Sequence, residues 1–124
     1  MTETQDNMVV FSPKFSDKNR YSDILAYKHS RVHLVSRPSI TKGDPEVNAY
    51  INANFVDGPL GLNDRKIIAT QGPLEKTYTD FWRMVSQENV TLIVTTCNTV
   101  ERNRSKCHKF WPSEEDEFSF SSDE

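Results

Sequence analysis

The apolar positions of the chain fall into one helical pattern and several extended ones. Tyr78, Phe81, Trp82 and Val85 recur at i, i+3, i+4 and i+7, which is one face of an α-helix. That face is heavily aromatic and is expected to anchor a core. Gly72-Pro73 ahead of it marks a turn. Thr77 followed by Asp80 fits a capping box, with Asp80 also suited to the positive end of the helix dipole. Residues 31–35, Arg-Val-His-Leu-Val, alternate as a strand does. Residues 49–56 read as a second strand, closed by Asp57-Gly58-Pro59, and residues 66–70 as a third that runs into the turn. Residues 90–96 form a continuous β-branched run, the pattern of a central strand buried on both faces. A helix followed by such a strand predicts a crossover onto a parallel or mixed sheet.

The intervening segments are polar. Residues 1–16 carry a short apolar patch, Met8 to Phe11, closed by Pro13, and read as a lead-in that docks loosely. Residues 17–25 have neither period; their Asn, Ser and Asp favour side-chain-to-backbone turns, which places Tyr21 and Asp23 on an ordered loop. Residues 36–48, with Pro38, Gly43 and Pro45, read as a surface loop, and residues 60–64 as a turn. Residues 101–112 read on charge alone as a charged hairpin leading into an edge strand. Phe118 and Phe120 alternate with serines and begin a further strand.

Composition narrows the class. A chain of 124 residues, 35% hydrophobic, is one modest domain or a piece of a larger one. Six of the 18 acids lie in residues 113–124, which hold no Lys or Arg, so residues 1–112 carry 15 bases against 12 acids. That mild positive balance suits an anionic substrate. It does not suit nucleic acid, because no basic run is interleaved with aromatics. No apolar run approaches the ~18 residues of a membrane span, and no secretory pattern follows Met1. Cys97 and Cys107 suggest no disulfide framework. The expected setting is reducing and cytoplasmic, which makes the Asn89-Val90-Thr91 and Asn103-Arg104-Ser105 glycosylation matches accidental. His29 and His33 have no metal-ligand spacing, and Gly58 and Gly61 make no phosphate-binding glycine pattern, so neither metal nor cofactor is expected.

Four stretches resemble the protein-tyrosine phosphatase domain of receptor and non-receptor enzymes, in that family's order. They are Asn19-Arg20-Tyr21-Ser22-Asp23-Ile24; Tyr50-Ile51-Asn52-Ala53; Thr70-Gln71-Gly72-Pro73 with Asp80-Phe81-Trp82-Arg83-Met84-Val85; and Glu101-Arg102-Asn103-Arg104-Ser105-Lys106-Cys107 with Trp111-Pro112. The family usually has Asp where Ala49 stands. The resemblance implies an α+β fold, a mixed, twisted sheet flanked by helices, here as an incomplete domain: a lead-in over residues 1–16 and the N-terminal part of a phosphatase domain over residues 17–124. It implies that Tyr21 packs on the aromatic ring of a phosphotyrosine and that Asp23 accepts hydrogen bonds from the substrate backbone. Ser22 between them is small and neutral and offers no charged selectivity. It further implies that Glu101 pairs with the arginine that clamps phosphate, and that Lys106 helps position the general-acid loop. The implied partner is a phosphotyrosine-containing protein or peptide.

The chemistry itself is not in these residues. Cysteine-based hydrolysis of phosphotyrosine needs a thiolate, fixed donors around the phosphoryl oxygens, and an acid for the leaving phenolate. In the family the first two come from a His-Cys-x5-Arg loop. Six residues after Cys97 stands Asn103, and six after Cys107 stands Ser113. Trp111-Pro112-Ser113 offers no acid at the position needed. The basic neighbours of Cys107 would favour a thiolate, but a structural cysteine is the stronger reading. The expectation is a fragment that supplies recognition and scaffold residues and is inactive alone. The alternatives are a non-catalytic phosphatase-like interaction module and an unrelated α+β domain.

Overall fold

The computed structural model describes residues 8–37, 42–57 and 67–112. The expectations that fall on residues 1–7, 38–41, 58–66 and 113–124, including part of the 36–48 loop, the 60–64 turn and the Phe118 strand, lie outside the described residues. A 3-10 helix spans Pro13–Lys18. It is followed by β1 (Arg31–His33), α1 (Pro45–Ala49), β2 (Tyr50–Val56), β3 (Ile67–Thr70), α2 (Tyr78–Gln87), β4 (Val100–Glu101) and β5 (Arg104–Ser105). The first three strands form a sheet in the order β1-β2-β3, and β4 pairs with β5. The fold is α+β, and every described ladder is antiparallel.

β2 organises the sheet because both of its faces are covered. Ile51 and Ala53 face one way and join Val32, Leu34, Phe81, Met84, Cys107 and Phe110 in the main core. Tyr50, Asn52 and Asn54 face the other way, as the period of two requires. Tyr50 stacks flat on Phe15 of the 3-10 helix, centroids 4.3 Å apart, and with Ala26 forms a second, smaller core. Asn52 and Asn54 meet loop backbone instead of apolar groups. Asn52 donates to the Ile24 carbonyl at 2.8 Å. Asn54 donates to the Tyr27 carbonyl at 3.0 Å and accepts from the Tyr27 amide at 3.3 Å. The lead-in is tied more firmly than its polarity suggested: Val9 bridges Tyr27, and the Val10 amide donates to the Ala26 carbonyl at 2.8 Å.

α2 buries Phe81 and Met84, with Tyr78, Trp82 and Val85 packed on the flanks of the same core. Phe81 meets Phe110 at 4.5 Å, and the Trp82 indole donates to the Phe110 carbonyl at 2.9 Å, so the ring is packed and its N–H satisfied. The capping box does not form. Thr77 is the N-cap but its hydroxyl accepts from the Leu74 amide at 2.9 Å instead. Asp80 is drawn away by two cations: it accepts from Lys18 at 3.0 Å and from Arg83 at 3.2 Å. Arg83 also donates to the Asn48 and Val35 carbonyls, so this triad ties the helix to the 3-10 turn, to α1 and to the segment that follows β1. At the other end, Asn89 takes a left-handed φ of 51°. Its amide reaches the Ser86 carbonyl and the Val90 amide reaches the Val85 carbonyl, completing a Schellman motif.

Two expectations are corrected. Residues 90–96 are not a central strand. They pair with no strand among the described residues, and residues 91–96 are exposed. β-Branched residues favour a pleated surface only where a neighbouring strand pairs with it, and among the described residues none does. Within residues 36–48, α1 begins where a loop was expected. Asp44 is its N-cap, accepting from the Glu46 amide at 2.8 Å, and Pro45 occupies the first turn. No helix among the described residues is long and apolar enough to cross a membrane.

Candidate functional site

The candidate site is built on one turn. Thr70 ends β3, and its hydroxyl donates to the Asn52 carbonyl at 3.1 Å, which fixes the turn to β2. The Gln71 carboxamide then brackets Asn19: it donates to the Lys18 carbonyl at 2.7 Å and accepts from the Arg20 amide at 2.9 Å. Gly72 leaves room for the hairpin. A Cβ placed there would lie 2.4 Å from the Lys106 carbonyl oxygen and 2.9 Å from the Cys107 Cβ. The Pro73 carbonyl accepts from the His108 amide, at 2.6 Å. Each of the four residues therefore contacts a segment distant in sequence.

Arg20 closes the arrangement. Its guanidinium donates to the carbonyls of Gly72 at 3.0 Å, Pro73 at 2.9 Å and Ser105 at 3.0 Å. Asn19 beside it accepts from the Tyr50 hydroxyl at 2.6 Å and from Asn52 at 3.0 Å. The loop that carries Tyr21 is thus pinned on both sides before Tyr21 is reached. The hairpin is set by a tight turn with Arg102 and Asn103 both at positive φ, 50° and 59°. Beyond it the amides of Lys106 and Cys107 both reach the Thr99 carbonyl. Two residues then oppose one, a bulge that re-aims the side chains that follow.

The outcome brings Tyr21 and Lys106 together across 85 residues of sequence. The Lys106 ammonium donates to the Tyr21 hydroxyl at 2.9 Å and lies 5.4 Å from the ring centroid. Tyr21 keeps 41% of its surface exposed. Asp23 is exposed on the same loop. Glu101 is placed elsewhere: its carboxylate accepts from the Asn98 amide at 3.0 Å and so closes the base of its own hairpin. Arg20, Asn19 and Gln71 are the residues that sequence reasoning left without roles. Their signal was present, since Asn19-Arg20 and Gln71 stand inside the quoted motifs, but their partners are backbone groups and side chains of distant segments, which no motif displays.

Cys107 is 3% exposed, packed in the main core. Burial, with a smaller contribution from Cys97, pushes its thiol up, and Arg20 only partly opposes this. It is a protonated core residue, not a nucleophile. Among the described residues no group of His, Cys, Asp and Glu is placed to hold a metal ion.

A family model described as protein-tyrosine phosphatase matches residues 15–123. Receptor-type tyrosine-protein phosphatase zeta of Homo sapiens is 45% identical over 102 residues, covering 82% of this chain and 4% of that protein. Tyrosine-protein phosphatase Lar-like of Caenorhabditis elegans is 51% identical over 96 residues, covering 77% of this chain and 4% of that protein. Tyrosine-protein phosphatase non-receptor type 12 of Homo sapiens is 46% identical over 95 residues, covering 77% of this chain and 11% of that protein. The chain thus spans a small fraction of the length of the relatives it matches.

Proposed function

The chain belongs to the protein-tyrosine phosphatase family, and from that premise we propose that it supplies the phosphotyrosine-recognition loop and supporting scaffold of a phosphatase domain. In the complete domain, phosphotyrosine in proteins is hydrolysed through a cysteinyl-phosphate intermediate. Tyr21 gives a flat apolar face to the substrate ring, and Asp23 accepts peptide N–H groups. Lys106 and Glu101 act behind them, Lys106 on the acid loop and Glu101 on the phosphate-clamping arginine. Residues 1–16 are the lead-in to this unit, which works in the reducing environment of the cytoplasm.

The observation that carries the reading is the Lys106–Tyr21 contact at 2.9 Å. A half-exposed tyrosine would ordinarily sample several rotamers. Here its hydroxyl is held by a cation from a separately anchored hairpin, so an aromatic face is presented in one orientation, and the ordering cost falls before substrate arrives.

The test is a chimera in which this chain's matched segment replaces the corresponding segment of the human non-receptor type 12 relative. Tyr21→Ala and Asp23→Ala should each lower kcat/KM for a phosphotyrosyl peptide by about tenfold or more, mainly through KM. Unchanged kinetics in both variants would remove the recognition role. Residues 1–124 alone should show no turnover, since they hold no His-Cys-x5-Arg loop. Phosphate-dependent binding of the peptide by residues 1–124 would instead favour an interaction module.

A further inference from the structure

A cavity of about 140 Å³ has Ser36, Gly43, Asn48 and Arg83 in its wall, and none of its lining residues is acidic. Ser36 and Gly43 are exposed and Arg83 is buried, so the cavity leads from solvent to the guanidinium. None of the lining residues belongs to the loop of Tyr21 or to the β4–β5 hairpin. Arg83 is one of two cations on one anion: Lys18 and Arg83 both pair with Asp80, and the three side chains are 16%, 8% and 12% exposed. Among the described residues neither cation pairs with a second carboxylate. Their other partners are the neutral carbonyls of Val47, Tyr50, Asn48 and Val35. Asp44 and Glu46, the acids nearest the cavity in sequence, are held by Lys14. The cluster is left with one positive charge in excess, in a poorly solvated place where an unbalanced charge is costly.

The donors of Arg83 point the same way. A guanidinium carries five N–H groups. Those of Nη1 go to the Asn48 carbonyl at 3.1 Å and to Asp80 at 3.2 Å, and one of Nη2 goes to the Val35 carbonyl at 3.0 Å. Nε is buried without a partner. Donors therefore remain on Nε and Nη2, the edge that takes an oxyanion side-on. We propose that the cavity is a site for a small tetrahedral oxyanion of the inorganic phosphate type. The anion sits between the Ser36 hydroxyl and Arg83, meets Nη2 first and Nε after a small turn of the guanidinium, and neutralises the excess charge. A cavity of roughly 150 Å³ holds a benzene-sized molecule, and phosphate is no larger. Because the triad ties α2 to the 3-10 turn, to α1 and to the segment after β1, the anion also steadies that junction. The inference stands apart from the recognition reading.

The test is a titration of isotopically labelled residues 1–124 with sodium phosphate, and with sodium chloride at matched ionic strength, followed by backbone amide and arginine Nε–H NMR signals. Phosphate should move the Arg83 Nε–H and the Ser36 and Gly43 amides along a saturable curve, with a Kd of about 1–10 mM. Sulfate should move the same signals and chloride should not. Ser36 is exposed, so substitutions there leave the core intact. Ser36→Ala removes one donor and should weaken binding about twofold or more. Ser36→Glu places a carboxylate at the mouth, supplies the missing negative charge and should weaken phosphate by about tenfold or more. The wild-type titration decides first: shifts that rise without saturation, that chloride reproduces, or that centre on other residues overturn the proposal. Undiminished affinity in Ser36→Glu overturns it as well.

Discussion

Gly72→Ala tests the turn on which the candidate site depends. The new Cβ would lie 2.4 Å from the Lys106 carbonyl oxygen and 3.0 Å from the Cys107 Cα. These are backbone atoms, so no side chain can swing aside. An ordinary C···O approach is about 3.3–3.6 Å, which requires the hairpin to retreat by about 1 Å. That movement stretches the His108 amide bond to the Pro73 carbonyl and the Arg20 bond to the Ser105 carbonyl. One neutral bond is worth about 1 kcal/mol and one charge-assisted bond about 1.5–3 kcal/mol. Replacing glycine also narrows the unfolded ensemble and returns about 0.4–1 kcal/mol. The net expected loss is about 2–3 kcal/mol, within the range for over-packing. For a chain of this size it lowers Tm by roughly 8–12 °C. Urea denaturation followed by tryptophan fluorescence gives the global value, and amide hydrogen exchange gives the place. Protection should fall most at Lys106, Cys107 and His108, with α2 changed less. A loss below about 0.5 kcal/mol, or a change centred away from the hairpin, would refute the argument.

Other substitutions address the rest of the frame. Asp80→Ala leaves Lys18 and Arg83 partly buried without their anion and should cost about 3–5 kcal/mol in urea denaturation. Asn89→Gly removes the Cβ from a left-handed position and should stabilise by a few tenths to about 1 kcal/mol, while Asn89→Ala destabilises. Burial raises the Cys107 thiol above its ordinary 9.0, so it holds its proton more tightly folded than unfolded. Its contribution is full below pH 9.0 and is lost as pH rises through the folded value, a loss that Cys107→Ser should remove; thiol reagents at neutral pH should label Cys97 first. Burial and Arg31 lower His33 below 6.5, so its titration by NMR should centre under that value, and stability should fall as pH drops from 6.5 through the folded value.

The chain shows which of these features can be read from residue types. The alternation of residues 31–35 was legible because Val32 and Leu34 face one core. The α2 face was legible because its apolar residues keep helical spacing against that same core. The α1 start carried its signal in Asp44-Pro45-Glu46, an N-cap, a proline and a first-turn acid, obscured by the loop-like Gly43 before it. Asp80 was misread because its partner Lys18 lies 62 residues away and outcompetes a local cap. Residues 90–96 were misread because β-branched character reports fitness for a sheet, and sheet formation also needs a neighbour.

The candidate site divides along the same line. Motifs identified Tyr21 and Lys106 separately; their contact depends on how far the hairpin approaches the 70–73 turn. That approach is set by Gly72, by the Gln71 carboxamide and by the three carbonyls that Arg20 gathers. A stretch that looked like a turn before a packing helix is therefore what holds two distant segments in register. Gln71→Ala would leave Tyr21 and Lys106 chemically intact, yet it removes the bracket around Asn19. It should loosen the Tyr21 ring while α2 stays folded, which faster ring and loop dynamics in NMR relaxation would report. Rigid Tyr21 signals in that variant would mean that Arg20 alone fixes the loop.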